Sequence, residues 1–291
     1  MDERNLLAAR FEAERPRLRQ AAYRMLGSLG EAEDAVQEAW LRLSRADGGA
    51  VENLAGWLTT VTARVCLDML RSRRSRRETS LDADATDDIP SREAGVDPEE
   101  ETLLADSIGI ALLVVLQTLA PAERIAFVLH DMFDLPFDDI APIVERSPEA
   151  TRQLASRARR RVRGGGTAAD EGLVAQRGVV DAFLAASRSG DLQGLLAVLA
   201  PDVVFRGDAL AVRYGGPTEL HGAEAVAASF SGRATGARPA LVDGAVALLV
   251  APRGKLLLVL QLTLKDGKIA EISAVAEPER LAGLDMALLD R

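Results

Sequence analysis

Two stretches of this chain concentrate its arginine, and the stretch between them concentrates its acid. Residues 57–77 (WLTTVTARVCLDMLRSRRSRR) carry Arg64, Arg71, Arg73, Arg74, Arg76 and Arg77 against Asp68 alone. Residues 146–163 (RSPEATRQLASRARRRVR) carry seven arginines against Glu149 alone, and residues 78–106 carry eleven acids against Arg92. A core cannot take up such one-signed runs, so each has to face solvent or a partner. Each basic run ends an apolar pattern of helical period, so the chain must build two helices that present dense positive charge. The net charge of −9 and a pI near 5.0 argue against a nucleic-acid partner only on average, because local patches set the field at a surface. One arginine run on one helix reads equally well as a solvated face; two of them narrow the choice.

The rest of the composition excludes several classes. With 291 residues and roughly 100–200 residues per domain, at least two domains are expected. The apolar share of 48 % is enough for real cores. The single cysteine, Cys66, sits between Val65 and Leu67, reads as core packing and leaves no disulfide framework. Of the two histidines, His130 lies in an apolar helical stretch and reads as a core residue. No metal site and no cofactor are expected. The start, MDERNLLAARFEAER, is charged throughout and does not read as a signal peptide. No apolar run approaches the ~18 residues of a membrane span, and a cytoplasmic location is expected.

Periodicity divides the chain. Residues 6–28 read as a helix ending at Gly27, and a second helix from Glu31 buries Ala35, Val36, Ala39, Trp40 and Leu43. Residues 45–53 form a loop, and a third helix runs from Leu54 to about Arg77. The acidic linker follows. A nearly all-apolar helix is expected from about Glu101 to Leu119, then one starting at Pro121, then the short pair PFDDIAPIV and SPEATRQLASRARRRVR. Ser147 is placed as an N-cap with Pro148 at the first helical position. After the tether GGGTAADEG the grammar changes. Residues 173–199 read as two helices, and DVVFRG, LAVRY, PALVDGAVALLV, GKLLLVLQLTL and KIAEISAV read as strands, with Lys265-Asp266-Gly267-Lys268 as a hairpin turn. Two helices on a mostly antiparallel sheet imply an α+β cone with an internal cavity.

The strongest chemical signal is residues 121–163. Two short helices joined by a tight turn, the second capped and rich in arginine, have helix-turn-helix form. Such a second helix can enter a DNA major groove. Glu149, Arg152, Gln153, Ser156 and Arg157 fall on its exposed arc; Ala150, Leu154, Ala158 and Val162 fall on the buried one. Arg152, Gln153 and Arg157 carry donors suited to base edges, and Arg159, Arg160, Arg161 and Arg163 suit phosphates. Two positions strain this pattern: Glu145 stands at the turn, and Pro142 deletes a backbone donor inside the preceding short helix.

In the segments EAEDAVQEAWLRL, WLTTVTARVCLDMLRSRRSRR and LPFDDIAPIVERSPEATRQLASRARRRVRG, the chain resembles an extracytoplasmic-function sigma factor, the smallest class of promoter-recognition subunits of bacterial RNA polymerase. Beyond Gly172 it resembles a SnoaL-like domain, a combination found in the SigJ-like subgroup. The resemblance implies a multidomain fold: two all-α sigma domains, the second a helix-turn-helix, followed by an α+β SnoaL-like cone domain. It implies a region 2 domain over 1–78, an acidic linker over 79–106, a region 4 domain over 107–164, a flexible linker over 165–172 and a regulatory domain over 173–291. Asp34, Gln37, Glu38, Trp40 and Leu41 match the helix that docks on the β′ clamp helices of core RNA polymerase, whose β flap is the expected partner of region 4. Asn53, Trp57, Thr60 and Arg64 match the region that captures a flipped base of the −10 element, and Arg71, Arg73 and Arg74 would hold phosphates. From pattern alone, Trp57 reads also as a core residue. Glu149, Arg152, Gln153, Ser156, Arg157 and Arg160 match the −35 reader. The linker lacks the subgroup's tryptophan motif, having only Asp88-Ile89-Pro90, and two motifs of the C-terminal domain appear in altered form at 207–211 and 277–281.

The candidate cavity residues of the C-terminal domain are Asp208, Tyr214 and His221, with Arg213 beside them. Proton abstraction would need a carboxylate–imidazole pair across an apolar pocket. Catalysis, ligand sensing and a ligand-free interaction surface all remain open from the residues. The reading adopted is a sigma subunit and not an enzyme, binding core polymerase and promoter DNA, with its fused domain acting in cis on the sigma domains or their linker. Its rivals are a ligand-sensing helix-turn-helix regulator and a SnoaL-like isomerase with a DNA-binding arm.

Overall fold

The computed structural model describes residues 3–45, 53–79, 109–163, 171–234 and 236–289. Of the acidic linker expected over 79–106 only Thr79 is among them; of the tether expected to reach 172 only Glu171 and Gly172 are, and they already belong to a helix, while 46–52 lie outside them. Contacts divide the chain into two compact units, one of 1–108 and 119–159, the other of 109–118 and 160–291.

The first unit opens with three helices, α1 (Glu3–Leu26), α2 (Leu29–Arg45) and α3 (Leu54–Thr79). On α2 the buried residues are Leu29, Ala32, Ala35, Val36, Ala39 and Leu43, a stripe with three alanines at its centre. Gly27 ends α1 with φ 75°, a conformation that suits a residue without a Cβ. The Ser28 Oγ then accepts the Glu31 amide at 3.3 Å and starts α2. Asn53 does the same for α3: its Oδ1 accepts the Gly56 amide at 2.9 Å, and a Cβ at Gly56 would sit 2.8 Å from the Asn53 side chain.

The unit continues with α5 (Pro121–Phe127), a π-helical turn (Val128–Met132), α6 (Phe137–Val144) and α7 (Pro148–Arg163) as far as Arg159, the last turn of α7 belonging to the second unit. α5 and α6 pack on α3, and the π turn packs on α1. His130 is half-buried, 3.9 Å from the Phe137 ring centroid, with Nδ1 2.9 Å from the Leu135 carbonyl oxygen that accepts from it. Cys66 is fully buried, and burial pushes its thiol far above the usual range. Cys66 is the packing group its surroundings in the sequence predict, while His130, read as a core residue, keeps one side open to solvent.

The second unit takes in α4 (Ile110–Thr118) and a domain built from α8 (Glu171–Ser189), α9 (Leu192–Val198), β1 (Leu199–Gly207), α10 (Ala209–Arg213), β2 (Glu219–His221), α11 (Ala223–Phe230), β3 (Ala237–Val242), β4 (Ala245–Val250), a 3-10 turn (Pro252–Gly254), β5 (Leu258–Lys265), β6 (Lys268–Val275), α12 (Pro278–Gly283) and β7 (Met286–Ala287). The sheet order is β2-β1-β6-β5-β4-β3-β7, and only β1 and β6 run parallel. The turn at Asp266-Gly267 has positive φ at both residues, 52° and 73°, as a two-residue hairpin requires. Phe183, Phe205 and Phe230 meet in the core, with ring centroids 5.2 and 5.7 Å apart. The α+β architecture is the one expected. Two segments correct the sequence reading: PALVDGAVALLV, read as one strand, is the β3–β4 hairpin turned at Asp243 and Gly244, and LAVRY, expected as a strand, is α10 with Tyr214 as its C-cap. The Asp208 carboxylate accepts the Ala211 amide and starts a helix there, and a local cap outweighs a weak strand pattern.

Candidate nucleic-acid interface

α7 is assembled by its cap. The Ser147 Oγ accepts the Ala150 amide at 3.2 Å and the Ser147 carbonyl accepts the Thr151 amide at 2.9 Å. Thr151, Ala155, Ala158 and Val162 are buried, while Glu149, Arg152, Gln153, Ser156, Arg157 and Arg160 all face solvent. At a rise of 1.5 Å per residue that row is about 16 Å long, within the reach of a helix laid in a major groove. The turn before α7 needs a left-handed residue. Glu145 supplies it, at φ 58° and ψ 46°, and the Arg146 amide closes α6 on the Ala141 carbonyl at 3.1 Å. Pro142 lies inside α6 and removes the amide that would bond the carbonyl four residues earlier.

Several arginines of α7 have partners on the protein. Arg152 reaches the Glu149 carboxylate at 2.7 Å and lies 5.3 Å from the Phe137 centroid. Arg157 lies 3.5 Å from Glu123. Arg159 binds both oxygens of Asp131, at 2.7 and 3.0 Å, and this hydrogen-bonded carboxylate raises its pKa. A phosphate role for Arg159, expected from spacing alone, would therefore have to displace a bidentate pair.

On α3 three arginines of the run, Arg64, Arg71 and Arg73, are also engaged. Arg73 pairs with Glu31 and donates to the Leu26 carbonyl, tying α3 to the α1–α2 corner. Arg71 reaches Glu145 at 3.1 Å, and Arg64 donates to the Pro142 carbonyl at 3.5 Å. Arg74 is exposed. Thr60 spends its hydroxyl on the Gly56 carbonyl at 3.0 Å, and Trp57 is half-buried. Asn53 and Thr60 thus hold the start of α3 in shape, a role that Asn at a helix entry signals in sequence. Arg124, missed in the sequence, is 6 % exposed and donates to the Met25 carbonyl at 2.9 Å. Phe133 takes Arg17 and Arg24 over its ring, at 5.9 and 5.4 Å from the centroid. Neither residue lies in a recognisable motif, so only the packing could reveal them.

On α2, Asp34, Gln37 and Leu41 are exposed and Glu38 is half-buried, bonded to Arg42 at 2.8 Å. These four share one face. Trp40 turns the other way, with its ring centroid 4.9 Å from that of Phe11.

The three C-terminal candidates do not converge on one pocket. Asp208 is 4 % exposed at its side chain. Its carboxylate accepts the amides of Ala211 at 2.9 Å, Ala276 at 2.8 Å and Glu277 at 3.0 Å, with Arg280 at 3.4 Å. Burial would raise its pKa, but the amides of Glu277, Ala211 and Ala276 together with Arg280 hold it below the usual carboxylate range. Tyr214 packs against the hydrophobic core. The His221 side chain is 67 % exposed and lies 3.3 Å from Glu219. Asp208 is thus the knot joining the two altered motif segments, 207–211 and 277–281.

Comparison with known proteins identifies the two helical segments. Residues 10–76 match the family model for Sigma-70 region 2, and residues 110–162 match that for Sigma-70 region 4. The chain is 38 % identical over 287 residues to the probable ECF RNA polymerase sigma factor SigI of Mycobacterium tuberculosis, covering 97 % of each. It is 36 % identical over 304 residues to the ECF RNA polymerase sigma factor SigJ of the same organism, covering 94 % of this chain and 92 % of that one. The crystal structure of Mycobacterium tuberculosis SigJ covers 95 % of this chain and 98 % of its own at 29 % identity, with a TM-score of 0.44. Two sigma-type helical segments in the expected order and relatives matched from end to end leave one assignment: the chain belongs to the ECF RNA polymerase sigma factors.

Proposed function

We propose that this chain is a promoter-recognition subunit of RNA polymerase, with region 2 over 1–78, region 4 over 107–164 and a cis-acting regulatory domain over 173–291. The capped helix α7 and its exposed row carry the reading. Arg152, Gln153 and Arg157 read bases of the −35 element, flanked by Glu149 and Ser156, while Arg160 holds phosphate. Around the −10 element, Trp57 and Arg64 meet the unpaired strand, Asn53 and Thr60 shape the start of α3, and Arg71 and Arg74 offset the cost of unstacking by binding phosphates, joined by Arg73 where it gives up its pair with Glu31. The α2 face of Asp34, Gln37, Glu38 and Leu41, braced by Trp40, docks on the polymerase.

The contacts of Arg64 with the Pro142 carbonyl and of Arg71 with Glu145 describe the molecule off DNA. Exposed pairs of this kind contribute about 0–1 kcal/mol each, so phosphates can exchange with them. The C-terminal domain acts as a regulator and not a catalyst, in keeping with an Asp208 carboxylate committed to amides and a His221 turned to solvent. Run-off transcription with purified core polymerase tests the reading. Initiation at defined start sites is expected, and loss of it when Arg152, Gln153 and Arg157 are changed together to alanine. Core polymerase that neither binds the chain nor initiates with it would overturn the proposal.

A further inference from the structure

The segment that matches region 4, residues 110–162, begins and ends in the unit built around the C-terminal sheet, while its middle belongs to the other unit. Its first helix, α4 (IALLVVLQT), is apolar almost all round, and Ile110, Leu113, Val114, Val115 and Leu116 are buried. Nine residues of helix do not hold in water without cover. The neighbours of α4 in this unit are β3, β7 and the Pro252–Gly254 turn. Arg253 at φ 55° and Gly254 at φ 76° bend that turn, and Gln117 Nε2 donates to the Gly254 carbonyl at 2.8 Å.

The other end of the segment is held by the last strand. β7 is paired to β3 through Leu241↔Ala287 and Val242↔Met286, and the Asp285 amide is fixed by the Asp243 carboxylate at 2.9 Å. One residue past β7, the Leu288 amide donates to the Val162 carbonyl at 2.8 Å. The last four carbonyls of any helix lack intrahelical donors, and Leu288 satisfies one of those of α7.

We propose that the β3–β7 edge, the Pro252–Gly254 turn and the 286–288 strap form a clamp whose occupant is region 4 of the same chain, gripped at α4 and at the end of the reader helix, and that release of this clamp changes the weight of the −35 element in promoter choice. The coupling half rests on the reading of α7 given above; the clamp itself does not. The C-terminal domain is then part of the structure of region 4. Removing residues 173–291 would uncover α4 along with any regulatory surface, so a deletion cannot separate folding from control.

The test is the full chain carrying Gln117→Ala and Leu288→Pro, which remove the two donors and no DNA-facing group. Hydrogen exchange is read at the amides of 111–118, with those of β5 and β6 as the check that the sheet is intact. About tenfold faster exchange in α4 with unchanged β5 and β6 protection is the expected result. Unchanged α4 protection in the variant, or α4 exchanging in the parent as fast as an unstructured segment, overturns the clamp. If β5 and β6 also lose protection, Gln117→Ala alone is read by the same criterion. Run-off transcription then compares one promoter with its −35 element intact and scrambled. The ratio of the two is expected to shift by about threefold or more in the variant, and an unchanged ratio with α4 released overturns the coupling. A parent that initiates nowhere would defeat the sigma reading and leave the exchange result standing.

Discussion

Asp208 shows what a single buried carboxylate can be for. Three backbone amides and Arg280 converge on it, so it is worth more as an anion than as a base. Its folded pKa is lowered, so the stabilisation is complete above the ordinary carboxylate value of about 4 and is lost as pH falls through the lower folded value. Asp208→Asn places an amide group against backbone donors and is expected to cost on the order of 2 kcal/mol. Thermal melts from pH 7 to pH 3 check this: the parent loses stability on the acid side and the variant loses less. Glu145 is the opposite case, a residue whose backbone is unfavourable and whose side chain is useful. A left-handed non-glycine costs about 1 kcal/mol, while its exposed bond to Arg71 contributes less. Glu145→Gly should therefore raise stability by up to about 1 kcal/mol and tighten DNA binding by freeing Arg71. Weaker binding by fluorescence anisotropy would contradict that account.

At the scale of the element, α7 separates two kinds of arginine. Arg152 and Gln153 stand near its capped start and Arg160 near its end. Arg152→Ala or Gln153→Ala should cost about 1–3 kcal/mol at one base position and relax preference there. Arg160→Ala should weaken all sequences alike and lower the salt slope by about 1. Competition binding against a panel of single-base variants distinguishes the two patterns, and identical profiles for Arg152→Ala and Arg160→Ala would argue against α7 as the base reader. The start of α3 was legible only in part. Asn53 and Thr60 sit where the family pattern puts base-contacting residues, yet their polar atoms bond to Gly56.

For the whole molecule the charge partition dominates. A chain of net charge −9 can hold DNA only through its local basic helices, so binding should fall by roughly a thousandfold between about 50 and 200 mM salt. Binding that ignores salt would mean that the arginine helices are not the contact. Among the described residues no helix is long and apolar enough to cross a membrane, as the interrupted hydrophobic runs indicate.

The sequence by itself determined the elements. Apolar spacing marked α1, α2, α3 and α5, Ser147 and Pro148 marked the start of α7, and Asp266-Gly267 marked a hairpin, because caps, turns and periodicity act over a few residues. It failed at LAVRY, where the Asp208 carboxylate caps a helix only three residues on and a weak strand pattern hid that local signal. Tertiary structure alone decided which charges pair and which helix belongs to which body. Arg71 with Glu145, Arg124 with the Met25 carbonyl, and α4 on the C-terminal sheet all join residues more than seventy positions apart. Partners that distant in sequence leave no local signature: the chain encodes what each surface is, and only folding brings the surfaces together.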